Sequence, residues 1–169
     1  MSWEDFYRRR DAIGAVLAHA KRRKGTDLPF DAVREVFADR EELAAALQYK
    51  WSQQLTGRIA VALVDADQDL DHVEAVASAW RATARRHPEL RALLDGYAAE
   101  ADDVFHAMQR AEQRMLALAA GLAEQGEPAD ETARIGAAFL ALIRSAPRQP
   151  TRRRANAIEQ LFRRLVASA

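Results

Sequence analysis

The chain contains no cysteine, which excludes a disulfide scaffold, zinc–thiolate sites and thiol nucleophiles together. Lysine is confined to Lys21, Lys24 and Lys50, while arginine and alanine are plentiful; the bias points to a GC-rich bacterial genome. Charge of one sign is also missing: 25 Lys+Arg against 25 Asp+Glu leave no global field to steer the chain toward nucleic acid or membrane. The longest apolar stretches, Met115–Ala123 and Ile135–Ile143, are nine residues each, about half of the roughly 18 that a membrane span needs. Met1-Ser2-Trp3-Glu4-Asp5 lacks the basic-then-apolar order of a secretion signal. These absences predict a cytoplasmic protein without a membrane partner. No glycine-rich loop is present to cradle phosphate, and none of the serines sits in a strand-turn-helix elbow. No catalytic residue is therefore assigned, no cofactor is expected, and the chain reads as a binding protein, not an enzyme.

What is present is helix. Of the 169 residues 49% are hydrophobic, enough for a real core in one domain. Alternation of apolar with polar residues, the mark of a strand, is nearly absent. Leu43, Leu47, Trp51, Leu55, Ile59 and Leu63 instead repeat every four residues behind Asp39, a good N-cap, and predict a helix over 40–64. Phe6, Ile13, Val16 and Leu17 mark a first helix over 4–24, and a short one is predicted over 30–37. Asp71 and Glu74 have capping-box spacing, so the next helix is predicted to open at 71 and to end at His87-Pro88, where Pro88 starts another. Further helices are predicted over 100–124, 129–145 and 151–167. The expected fold class is all-α, with seven to eight helices.

Phe37-Ala38-Asp39-Arg40-Glu41-Glu42-Leu43 resembles the F-x-x-[KR]-[DE]-x-L signature of the tetracycline-repressor (TetR) family, which joins the recognition helix to a long fourth helix. The order of helices on either side is similar as well. The resemblance implies a TetR-like bundle divided into a small N-terminal region, 1–40, and a ligand-binding and dimerisation domain, 41–169. It implies a homodimer whose C-terminal helices form a four-helix interface through Ile135, Phe139, Leu142, Ile158, Leu161, Phe162 and Leu165. It also implies ligand-controlled transcription. The family's Gly-Val-Ser-like turn is missing between residues 18 and 36, and Arg34 stands where the family has Tyr. The implied reading head is thus degenerate, and whether it binds DNA stays open.

Several constellations bear on a site. Between residues 8 and 24, Arg8, Arg9, Arg10, Lys21, Arg22, Arg23 and Lys24 stand against a single acidic residue, Asp11; with Arg34 and Arg40 they are candidates for gripping DNA phosphates without reading sequence, or for a solvated helix face. Trp51, Gln54, Leu55, Trp80, Tyr97, Phe105, His106 and Met108 fall on three helices that, side by side, would line a pocket for a small apolar ligand or simply fill the core. Asp65, Asp67, Asp69 and Asp71 are spaced like the start of a calcium loop, but Leu70 replaces its glycine and Val76 its bidentate Glu. Asp103 and His106 sit three apart on one helix, as in helical-bundle metal sites that draw further carboxylates such as Glu42 and Glu112 from neighbouring helices. The leading expectation is a TetR-like, homodimeric regulator that senses a small apolar ligand. A helical-bundle metal protein or oxidoreductase and a ligand-free adaptor are the alternatives.

Overall fold

The computed structural model describes residues 3–66 and 72–145, together with the backbone of 69–71. The described residues contain six α-helices and no strand. In chain order they are α1 (Trp3–Arg23), α2 (Arg40–Val64), α3 (Asp69–Arg86), α4 (Pro88–Tyr97), α5 (Asp103–Ala119) and α6 (Ala129–Ser145). The helix predicted over 151–167 lies outside the described residues, and so do Ile158, Leu161, Phe162 and Leu165.

The four-residue repeat of α2 becomes the spine of the core: Leu43, Leu47, Trp51, Leu55 and Ile59 are all buried. Against it pack Val76 and Trp80 of α3, Leu90, Leu93 and Leu94 of α4, Phe105 and Leu116 of α5, and Phe139 and Ile143 of α6. Residues before position 40 join the same core through Ala12, Val16, Ala20, Leu28, Val33 and Phe37. Asp39 caps α2 as expected, its side chain accepting from the Glu42 N–H at 2.7 Å. Pro88 opens α4 directly behind His87.

Three boundaries differ from expectation, each for a local reason. The stretch 30–37 forms a single 3-10 turn, Phe30–Ala32, followed by hydrogen-bonded turns that deliver Val33 and Phe37 into the core. Helix α3 begins two residues early, at Asp69, which places position 71 within its first turn. Helix α5 stops at Ala119 because Gly121 takes a left-handed conformation, φ 68°. The Gly121 N–H then reaches the Leu118 carbonyl and the Leu122 N–H reaches Ala117 at 2.9 Å, a Schellman ending.

The start of α2 is clasped to α1. Glu42 accepts from the Ala38 backbone N–H at 2.7 Å and from Arg9 Nη2 at 2.6 Å, while the Arg9 guanidinium lies 4.8 Å from the centre of the buried Phe37 ring. The Ala38 hydrogen bond, assisted by Arg9, holds the Glu42 carboxyl below its ordinary value of 4.5. A carboxyl whose native pKa is depressed contributes stability that is full above its unfolded pKa and is lost as pH falls through the native one. Melting temperature is therefore expected to fall on acidification below pH 4.5. Glu42→Gln should melt lower than wild type at pH 7, and the gap should narrow as pH falls below 4.5 and close once it has passed through the depressed native pKa of Glu42. A constant gap across that range would remove the clasp from the account.

Candidate functional site: a buried polar centre

Four helices bring charged and polar side chains into the middle of the core. Glu112, on the inner stripe of α5 with Phe105 and Leu116, is 7% exposed. Its Oε1 accepts from the indole N–H of Trp51 (2.9 Å) and of Trp80 (3.4 Å), and its Oε2 accepts from Gln48 Nε2 (2.7 Å). The two indoles meet edge to face with centroids 5.8 Å apart, a geometry that adds about 0.5–1.5 kcal/mol beyond the area buried. Arg91 of α4, also 7% exposed, lays its guanidinium 4.9 Å from the centre of the Trp51 ring. Burial lowers the Arg91 pKa, and the charges of Asp95 and Glu112 act in the opposite direction. Arginine remains a cation under such shifts.

The centre connects to the surface through Asp95, which takes Arg91 Nη2 at 3.1 Å and Arg144 Nη2 of α6 at 3.0 Å. Arg144 in turn lies 5.4 Å from the Trp80 ring centre. Helices α2, α3, α4, α5 and α6 all contribute, so the network ties the bundle together while it buries charge.

Two atoms of this centre have no hydrogen-bond partner, Gln48 Oε1 and Arg91 Nε. Leaving a buried polar atom unmet costs about 1–3 kcal/mol, and native cores seldom tolerate it. One spare acceptor and one spare donor thus hang on the same Glu112–Trp51 platform. Tyr97 Oη, likewise unpartnered, belongs to a second aromatic pair, with Phe105 at 5.1 Å; burial raises its pKa, and the neighbouring Glu41 and Asp102 charges push the same way.

The candidate pocket residues are therefore divided. Trp51 and Trp80 belong to the polar centre, Tyr97 and Phe105 form their own pair, and Leu55 is fully buried. Gln54 is exposed on the outer side of α2, and the polar group at the centre is Gln48. Met108 is half-buried, and so is His106, whose Nδ1 faces Gln109 Oε1 of its own helix at 3.4 Å. Gln48 had a usable signal: Ala44, Gln48, Trp51 and Leu55 follow 4-3-4 spacing, one continuous helix face. Arg91 had none beyond lying among leucines.

Among the described residues no three His, Asp or Glu side chains converge as metal ligands would. Glu112 does point inward, but its oxygens are taken by N–H donors, and Asp103 is exposed. Of the candidate phosphate contacts, Arg9 is spent in the Glu42 clasp, Arg10 binds Asp11 through Nε and Nη2, and Arg40 lies 3.5 Å from Glu100. Arg8 lies 3.9 Å from Asp5, while Lys21, Arg22, Arg23 and Lys24 are exposed at the end of α1. Arg34 lines an open groove of about 500 Å³ between α1 and residues 31–36, where Asp11, Asp31 and Glu35 outnumber Arg8 and Arg34. Phe139 is a core residue; Ile135 is half-buried and Leu142 exposed. Compared with protein-family models, with curated proteins and with solved structures, the chain matches none.

Proposed function

We propose that the protein is a TetR-like, homodimeric regulator that senses a small ligand at the Glu112 centre and does not itself read DNA sequence. The observation that carries this reading is the pair of unmet atoms, Gln48 Oε1 and Arg91 Nε, beside a satisfied buried carboxylate. A purely structural network would gain by pairing or removing them. A guest with an apolar body, one donor for Gln48 and one acceptor for Arg91 completes both. The ladder from Arg91 through Asp95 to Arg144 offers a route by which such a guest shifts α4 against α6. Sequence reading is not part of the proposal because a recognition helix must present several side chains to base edges, and residues 30–37 hold one 3-10 turn, Phe30–Ala32, and hydrogen-bonded turns in place of a helix.

Two measurements test the reading. The first is a thermal-shift panel of apolar amides, hydroxy acids and keto acids. At a hundredfold excess over Kd a ligand should add about 2.7 kcal/mol, a rise of roughly 5–10 °C for a chain of this size. Gln48→Leu should abolish the rise, and a flat panel on wild type would overturn the sensing claim. The second is fluorescence anisotropy with random duplex and with fragments from upstream of the gene, between about 50 and 200 mM salt. Weak binding that disappears with salt is expected; tight binding to one upstream fragment that survives the higher salt would restore a sequence reader.

A further inference from the structure

Cations gather where the start of α4 meets the outer side of α2. Lys50, Gln54 and Arg58 follow one another at four-residue spacing and form a stripe along α2. Helix α4 runs antiparallel to α2: Tyr97, at its end, is reached by the charges of Glu41, Arg40 and Asp39 at the start of α2, while Arg91 lies over Trp51. His87, one turn before Arg91, therefore falls beside the stripe, and Arg85 and Arg86 precede it at the end of α3. The electrostatics agree with this placement. Burial lowers the His87 pKa, and Arg86, Lys50 and Arg58 push it the same way, with Glu89 alone opposing them.

This corner lacks negative charge to match. Among the described residues Lys50, Arg58, Arg85 and Arg86 have no ion pair. Arg58, Arg85 and Arg86 are exposed, and Lys50 and His87 are half-buried. The acidic run that opens at Asp65 begins two turns beyond Arg58, and Asp69 lies about 25 Å from Arg86 along α3. The sequence after Ser145 carries six arginines and one glutamate, so it is itself basic and no complement to this corner.

We infer that this corner grips the phosphate backbone of nucleic acid, without reading its sequence, through Lys50, Arg58, Arg86 and His87. The inference does not rest on the ligand reading of the Glu112 centre. Spacing favours a polyanion over a small phosphorylated molecule. Lys50 and Arg58 leave α2 about 12 Å apart along its axis, farther than one phosphate group spans, whereas a duplex presents one charge per ~1.7 Å of its length. Gln54 can donate its amide N–H groups to a further phosphate oxygen. A lipid surface is the poorer fit, because the exposed residues between the two cations are Gln53, Gln54, Thr56 and Gly57, with no apolar side chain to enter a bilayer.

Fluorescence anisotropy of the full chain with a short random-sequence duplex, over a series of salt concentrations, tests the grip. The logarithm of affinity should fall linearly with the logarithm of salt. Replacing Lys50, Arg58 and Arg86 together by Gln should flatten that slope by about 2–3, at about 0.9 per phosphate contact, and weaken binding at low salt at least 10-fold. Arg58→Gln alone should flatten it by about 1 and act equally on duplexes of different sequence. Circular dichroism melts of these variants should not fall, since no ion pair is broken. Proton NMR adds a readout that misfolding does not imitate: the His87 ring, assigned by its absence in His87→Asn, should titrate at higher pH once duplex is added. A wild type that leaves the duplex free at low salt would overturn the inference, as would an unchanged slope in the triple variant. A slope that drops instead in Arg22→Gln/Arg23→Gln would move the grip to the end of α1 and refute it. Binding to phosphatidylglycerol vesicles or to poly-glutamate through the same residues, with none to duplex, would assign the corner to a lipid or an acidic protein and also refute it. None of these outcomes alters the thermal-shift panel, so the sensing claim is judged separately.

Discussion

Gly136→Ala is expected to destabilise the protein by about 3 kcal/mol, a fall of roughly 6–12 °C in melting temperature. Gly136 sits where α6 crosses α5, and a Cβ there would run into the Gln113 carbonyl oxygen and carbon. Both are backbone atoms, so no side chain can swing away; the helices must part. Their contact is the most extensive in the fold, so parting them loosens Leu116, Ala117, Ala133 and Phe139 together. The expected loss is a net figure, since alanine gains about 1 kcal/mol of helix propensity over glycine. Gly57→Ala isolates that gain: Gly57 lies inside α2 with nothing within 4 Å of the added carbon, and it should raise the melting temperature by about 2–4 °C. If both alanines stabilise, the close crossing of α5 and α6 is wrong.

The crossing also indicates which parts of the fold the sequence expressed. Period-four runs such as Leu43 to Ile59 are long and one-sided, so the helix and its buried face were both legible. Ends governed by one backbone angle were harder. The helix predicted over 100–124 runs through Gly121, whose positive φ ends α5 at Ala119 instead. Residues 30–37 have helical composition but lack the length to offset nucleation, and they settle into turns that bury Val33 and Phe37. The F-x-x-R-E-x-L stretch has a plain local account: Phe37 and Leu43 are core, Asp39 is the cap, and Glu42 is the clasp. The site was half legible. Trp51 and Trp80 stand out as large residues on apolar stripes, but sequence patterns treat a charged residue on such a stripe as misplaced. Glu112 is legible only as a possible metal carboxylate and Arg91 not at all; the packing of four helices gives Glu112 the N–H donors of Trp51, Trp80 and Gln48, and Arg91 its place over Trp51.

Removing the Glu112 side chain should have the larger effect of the two. Glu112→Ala strands three N–H donors, those of Trp51, Trp80 and Gln48, and deprives the buried Arg91 of an opposite charge that it senses. Breaking one side of a buried charged network costs about 3–5 kcal/mol, enough to threaten folding in a domain whose whole stability is about 5–15 kcal/mol. Glu112→Gln separates hydrogen bonding from charge. Its carbonyl can still accept from both indoles, and its amide N–H can be received by Gln48 once that side chain turns its unpartnered Oε1 inward. All three bonds survive in that arrangement, and only the charge facing Arg91 is gone. The variant should cost about 1–2 kcal/mol, on the order of one desolvated charge-assisted contact. Adding Arg91→Met to Glu112→Gln should then recover part of the loss, because a buried guanidinium left with Asp95 as its one opposite charge is replaced by an apolar chain of similar length, while Asp95 keeps Arg144. Chemical denaturation of the four proteins closes a double-mutant cycle. A coupling of about 1 kcal/mol or more between positions 91 and 112 is expected; additive losses would mean that Glu112 serves the indoles alone and that Asp95 is the sole counterion of Arg91.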